Sequence, residues 1–103
     1  MNILKSLKKR YKEKLFQKRT TCGKNLSVDA ESSCTAPTPG QMIIGDCCEL
    51  CGCRLYSIGG GVVEIGDHTT IRYNSKISST EHVKIGSHVI ISNNVDIYDQ
   101  NKS

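Results

Sequence analysis

Aliphatic residues recur at a fixed six-residue step between residues 63 and 99. The recurring positions are Ile65, Ile71 and Ile77 and, after two extra residues, Ile85, Ile91 and Ile97. A small or β-branched residue follows four positions after most of them, at Thr69, Ser75, Val89 and Val95. Neither the helical period of roughly 3.6 residues nor the alternation of an ordinary strand produces this step. Short repeats of this kind indicate a β-helix.

Six residues can form one short strand and a turn, and three such units complete a triangular coil of about 18 residues. The aliphatic side chains then point to the axis, and successive coils stack at the β-sheet spacing of roughly 4.8 Å. The side chains expected on the axis include Ile71, Ile91 and Ile97, and those expected to face outward include Arg72, Lys84 and Asp96.

Glycines mark one corner of this triangle repeatedly. They occur at Gly23, Gly45, Gly66 and Gly86, and each interval between them corresponds to one coil plus a small insertion. The residues that follow include Asn, Asp and His, which tolerate a positive φ in tight turns. We therefore interpret His68 and His88 as turn residues, with a three-histidine zinc site as the alternative. His82 is expected on the surface, and the sequence identifies no carboxylate partner for it.

The pattern divides the chain into residues 1–19, a basic amphipathic helix, and residues 20–103, a β-helix domain. Within the second segment, 20–43 is an imperfect first coil interrupted by Pro and Gly, and 44–103 holds the regular coils. The whole chain has one Phe and no Trp. This composition disfavours an aromatic-centred core and suits stacked Ile and Val.

Most of the basic charge lies in the N-terminal segment, residues 1–19. The cations there are Lys5, Lys8, Lys9, Arg10, Lys12, Lys14, Lys18 and Arg19, against the single acid Glu13. Leu4, Leu7, Tyr11 and Leu15 fall on one face at helical spacing. We favour a helix that packs on the β-helix and caps its open end. The alternative is a peripheral contact with anionic lipid head groups or an acidic partner. Nucleic acid is disfavoured because aromatic residues for base stacking are missing.

No apolar run is long enough for a signal peptide or a membrane span. We therefore expect a cytoplasmic protein, with a peripheral contact to the inner face of the membrane as the alternative for its basic helix.

Four cysteines cluster at Cys47, Cys48, Cys51 and Cys53. Their C-C-x-x-C-x-C pattern allows a zinc site or a redox pair. The six-residue register instead places Cys48 at a small inward position, where a thiol packs as a small hydrophobe. Cys51 and Cys53 are expected on one strand with like facing. We favour structural packing and expect no bound metal.

Residues 22–103 resemble the hexapeptide-repeat acyltransferases, especially sugar O-acetyltransferases of the maltose and galactoside acetyltransferase type. The resemblance is strongest over 63–67 and 83–99, where several hexapeptides share the Ile-Gly corner. It implies an all-β, left-handed parallel β-helix that forms a homotrimer. It also implies an enzyme that transfers an acetyl group from acetyl-CoA to a hydroxyl of a sugar or polysaccharide precursor.

The same resemblance implies the site residues. Asn93, Asn94 and Asp99 would line the acceptor cleft between subunits, and Asn74 would contact the sugar. Ser92 would lie near the acetyl-CoA thioester. The alternative for each Asn is a turn residue.

The catalytic base of the family is a histidine just after the position of Asp99. The residues here are Gln100, Asn101, Lys102 and Ser103, so we expect the histidine and further coils to lie beyond Ser103. The chain as given would then be a truncated and inactive piece of an acetyltransferase. The alternative is a non-catalytic β-helix scaffold, tethered to a membrane surface or acidic partner by its basic helix.

Overall fold

The computed structural model describes residues 3–99, with side chains described from Leu7 onward. Predictions that concern the side chains of Leu4 and Lys5, or residues 100–103, lie outside the described residues.

One helix precedes twelve short strands. Helix α1 is Ile3–Arg19. The strands are β1 Thr21–Cys22, β2 Ser27–Val28, β3 Ser33–Thr35, β4 Met42–Ile44, β5 Glu49–Leu50, β6 Arg54–Ser57, β7 Val62–Ile65, β8 Thr70–Ile71, β9 Lys76–Ser79, β10 His82–Ile85, β11 Ile90–Ile91 and β12 Asp96–Tyr98. A 3-10 turn, Pro39–Gln41, joins β3 to β4.

The strands form three parallel sheets, each with one strand from every coil. The first sheet has the order β1-β4-β7-β10, the second β2-β5-β8-β11 and the third β3-β6-β9-β12. Each strand pairs in parallel with its counterpart in the next coil; in the second sheet, for example, Val28 pairs with Leu50, Leu50 with Ile71, and Ile71 with Ile91. The chain therefore forms a parallel β-helix of four coils, which confirms the predicted fold class.

The hexapeptide register places the predicted side chains as expected. Ile71 and Ile77 are fully buried, Ile91 is 6 % exposed, and Ile97 packs against the same core. Arg72, Lys84 and Asp96 are exposed. The core is one thin aliphatic column, because each coil contributes only its inward-facing positions.

Small inward residues serve a second purpose at the corners. Cys48, Thr69 and Ser75 are all fully buried. The Thr69 hydroxyl donates to the Gly86 carbonyl at 2.9 Å, and the Ser75 hydroxyl donates to the Ser92 carbonyl. These bonds satisfy carbonyl groups of the next coil that would otherwise be unpaired in the interior. The prediction that Cys48 lies at a small inward position is confirmed.

At the first corner of the triangle, adjacent coils approach too closely for any side chain on the glycine. A Cβ atom built on Gly66 would lie 2.6 Å from the carbonyl carbon of Gly86. The next residue in the chain links the coils: Asp67 Oδ1 accepts the Asp46 amide at 2.7 Å, and Asp46 Oδ1 accepts the Lys24 amide at 2.8 Å. The recurring glycine is therefore a requirement of coil-to-coil contact.

The predicted turn residues adopt the left-handed conformation. The φ angles of His68 and His88 are 54° and 59°, and Asn25 and Cys47 have the same conformation in the first two coils. The two imidazole rings stack with centroids 5.0 Å apart and planes within 3°. Their role as turn residues is confirmed.

Helix α1 lies across the first coil and contacts β1, β2 and β3. Phe16, 1 % exposed, closes the end of the core, and Glu13 Oε2 accepts the Val28 amide at 3.1 Å. The apolar stripe that the sequence shows is not the face that packs, because Leu7 and Tyr11 are 54 % and 65 % exposed. The helix therefore caps the β-helix with Phe16 in the core and Glu13 bonded to β2, while Leu15 is partly buried.

We expect Ile91→Asp to abolish folding and Lys84→Asp to be nearly neutral. An unpaired carboxylate at position 91 would be buried in a core without a partner, whereas position 84 faces solvent. The cost at position 84 is repulsion by Glu64 on the paired strand, worth about 0.2 to 1 kcal/mol. Thermal unfolding followed by circular dichroism measures both variants. Equal melting temperatures would contradict the register.

Candidate functional site

The predicted site residues gather mainly at the second corner, where the chain passes from the second sheet to the third. Gly52, Asn74 and Asn94 occupy this corner in coils two to four, with φ angles of 73°, 63° and 60°. Ser92 and Asn93 belong to the same corner of coil four. Asp99 lies elsewhere, after β12 at the third corner. The structure thus brings four of the five residues to one edge and separates the fifth.

Three asparagine side chains at this corner are available to a ligand. Asn74, Asn93 and Asn94 are all exposed. Among the residues that the structure describes, none of these three side chains makes a hydrogen bond. Asn74 and Asn94 are turn residues by their backbone, because they have the left-handed conformation. That conformation explains why both positions hold Asn, and it leaves the side-chain amides free to bind a ligand. The acceptor-binding role stays a prediction.

Tyr73 spans three coils beside this corner, which the sequence analysis missed. Its hydroxyl donates to Asp29 Oδ2 at 3.2 Å, two coils away. On the way its ring covers Gly52, where an added Cβ would lie 2.7 Å from the ring. The charge of Asp29, with the hydrogen bond to it, raises the pKa of the Tyr73 hydroxyl. One feature of the sequence could have indicated this contact. Gly52 occupies the corner position at which the next two coils have Asn, and the missing side chain leaves room for the Tyr73 ring.

Asp99 is held by the third corner of the preceding coil. Its Oδ1 accepts the Thr80 amide at 2.7 Å, and its Oδ2 accepts the Glu81 and His82 amides at 2.9 and 2.7 Å. The hydroxyls of Ser79 and Thr80 donate to the same carboxylate. These bonds, led by the one from the Thr80 amide, hold the pKa of Asp99 far below its usual range. The carboxylate is therefore occupied by the backbone of its own chain.

His82 lies on the surface as predicted, and its carboxylate partner is one that the sequence did not identify. Its Nε2 lies 2.6 Å from Glu64 Oε2 on the neighbouring strand, with side chains 54 % and 33 % exposed. The two residues are diagonal neighbours on the outer face of the sheet, because the pairing of β10 with β7 places His82 opposite Val62 and Lys84 opposite Glu64. An imidazole oriented by a carboxylate can accept a proton. The pair lies on the face of the first sheet, away from the second corner.

The cysteines are separated by the register. Cys48 and Cys53 are fully buried, whereas Cys47 and Cys51 are partly exposed. The expectation that Cys51 and Cys53 share a strand and a facing was wrong, because they flank the left-handed turn at Gly52, between β5 and β6. That turn directs Cys53 inward.

Burial raises the pKa of Cys48 and Cys51, and that of Cys53 to about 12. The thiolate forms of these three residues are therefore disfavoured near neutral pH. All six cysteines are free thiols in the structure. Within residues 3–99, no group of three or more His, Cys, Asp or Glu side chains is arranged to hold a metal ion.

No helix in the described part of the chain has the length and apolar character needed to cross a bilayer. Comparisons with models of known protein families, with curated proteins and with solved structures found no match. The sheet topology alone assigns the chain to a class, that of the parallel β-helix proteins.

We expect Asp99→Asn to lower the melting temperature by several degrees at neutral pH. The substitution removes the negative charge toward which the amides of residues 80, 81 and 82 point. Because the folded pKa lies below the unfolded one, the stabilisation by Asp99 is present above about pH 4 and is lost as the pH falls below it. The difference between the two proteins should therefore shrink in acid.

Asp96→Asn is the matched control, since Asp96 is exposed on the same segment. Thermal unfolding of all three proteins from pH 7 to pH 2.5 measures the effect. A difference that does not change with pH, or equal losses for the two variants, would contradict the role of Asp99.

Proposed function

We propose that this protein is an acyltransferase of the hexapeptide-repeat class, which transfers an acetyl group from acetyl-CoA to a hydroxyl of a sugar or polysaccharide precursor. One observation carries the proposal. Asn74 and Asn94 occupy the same place in consecutive coils, with exposed side chains, within the segment that resembles this class. The resemblance supplies the reaction, and the corner supplies a surface for the acceptor.

The chemistry of the corner suits a sugar. Each asparagine amide has one acceptor oxygen and two N–H donors, so it can bond hydroxyl groups in either direction. Adjacent coils lie roughly 4.8 Å apart, which suits two hydroxyl groups separated by one ring carbon better than two on neighbouring carbons. Asn74 and Asn94 can therefore bind two hydroxyl groups of one acceptor, with Asn93 beside them.

In the proposed reaction, an acceptor hydroxyl attacks the thioester carbonyl of acetyl-CoA. The new ester C–O bond forms, the C–S bond breaks, and CoA leaves as a thiolate that takes up the proton carried from the hydroxyl by a base. Ser92 is proposed to lie near the thioester. The resemblance implies a histidine as the base, and we assign that role to none of the described residues. His82 and Glu64 lie on another face, so we assign them no part in this step.

A homotrimer is part of the proposal, because one exposed corner makes only one wall of a cleft. Ile90 and Tyr73, which border the corner, are 74 % and 50 % exposed. Aromatic residues such as Tyr73 are enriched at the buried centre of protein–protein interfaces. A second subunit packed there would supply the other wall of the acceptor cleft.

We expect the variants Asn74→Gly and Asn94→Gly to raise the acceptor KM by about tenfold each, the effect of losing one or two hydrogen bonds. Glycine keeps the left-handed turn, so the change removes the side chain without straining the backbone. Asn25→Gly is the matched control, since it removes an asparagine with the same conformation at the first corner. Its KM should be unchanged.

Acetyl transfer is measured by mass spectrometry on the purified protein, with acetyl-CoA and a panel of sugar acceptors. If none of the acceptors in the panel is acetylated, the proposed reaction is contradicted. Transfer with equal KM in the three variants would contradict the acceptor site.

A further inference from the structure

The outer face of helix α1 is directed away from the β-helix. Phe16 marks the inward direction, because it is buried against the first coil. At about 100° per residue, Leu7 lies on the opposite side of the helix and Tyr11 within about 40° of that direction. Their exposures of 54 % and 65 % agree with this geometry. Two large apolar side chains thus face solvent on the side where the helix has no contact with the β-helix.

The same face is cationic. Lys14 and Lys18 point outward with Leu7 and Tyr11, Arg10 flanks them, and all three cations are exposed. Glu13, the single acid of the N-terminal segment, is turned inward and accepts the Val28 amide. Its charge is therefore used at the end of the sheet, and the described outer face of the helix presents basic and apolar groups together.

The position of the helix makes this face an end of the molecule. Since α1 crosses the first strand of all three sheets, its outer side is the terminal surface of the stack. The three sheet faces and the second corner lie on the sides of the β-helix. A flat partner can contact the helix without touching them.

We propose that the outer face of α1 docks on a bilayer surface that contains anionic phospholipids. Leu7 and Tyr11 enter the interface between head groups and acyl chains, while Lys14, Lys18 and Arg10 contact the phosphates. The β-helix then projects from the bilayer, with its sides open to solvent. A second copy of the chain fits this face poorly, because two like-charged surfaces would meet. This inference does not rest on the proposed acetyl transfer.

Vesicle co-sedimentation tests the proposal with the full chain. The two vesicle types are pure phosphatidylcholine and a mixture of about 70 % phosphatidylcholine with about 30 % phosphatidylserine. We expect binding to the anionic vesicles alone, weakened by high salt. The variants Leu7→Ser/Tyr11→Ser and Lys14→Glu/Lys18→Glu should each bind the anionic vesicles at least tenfold less tightly.

Each variant has a control with the same chemical change on the β-helix. Lys76→Glu/Lys84→Glu alters the charge equally, and Ile58→Ser/Tyr98→Ser removes two exposed apolar groups from the β-helix. Both controls should bind like the parent protein. Circular dichroism verifies that all five proteins are folded, as the exposed positions predict.

Several results would overturn the proposal. They are equal binding to both vesicle types, equal losses in the α1 variants and their controls, or no loss in the α1 variants. Self-association that the α1 variants abolish, measured by sedimentation velocity without lipid, would assign the face to a second copy. Tighter binding to single-stranded RNA than to anionic vesicles would assign it to nucleic acid.

Discussion

Hydrogen bonds between one coil and the next are the interaction on which the rest of this structure depends. The strands are two to four residues long and would not persist alone. Each acts only through its pairing with the coil before or after it, as when the Thr70 amide donates to the Val89 carbonyl at 2.9 Å. The corners must repeat so that every coil presents its donors at the same height. The glycines, the left-handed turn residues and the Asp46 and Asp67 links all serve that repetition.

The two described ends of the stack differ in how they meet this constraint. At the first coil, α1 supplies Phe16 to close the core and Glu13 to accept one amide of β2. At the fourth coil, Asp99 binds three amides of the preceding corner. In both places a carboxylate accepts hydrogen bonds from backbone N–H groups that have no partner in the strand pairing. The helix thereby turns its other face to solvent, which is why an apolar and cationic surface lies at that end.

The fold could be predicted from the sequence because each six-residue step corresponds to one side of the triangular coil. Ile71 and Ile77 had to face the axis once the step was recognised, and His68 and His88 followed from their place after the glycine. The face of α1 could not be predicted, since its apolar stripe is stronger than the lone Phe16 that packs. Contacts across coils, such as Tyr73 with Asp29 and His82 with Glu64, could not be predicted because they join side chains that are not direct partners in the strand pairing. The sequence indicated that Asp99 is a polar residue at a corner. It could not show that its carboxylate binds backbone N–H groups, because these belong to an irregular turn of the preceding coil.

The register of the stacked coils is the central claim, and scalar couplings across hydrogen bonds measure it most directly. In a labelled sample, nuclear magnetic resonance should detect a coupling from the amide nitrogen of Thr70 to the carbonyl carbon of Val89. The equivalent couplings should run from Cys51 to Ile71 and from Gly45 to Ile65. Couplings between these pairs, each of which joins one coil to the next, would establish the register described. Couplings from the same amides to antiparallel neighbours, or to residues four positions away as in a helix, would contradict it.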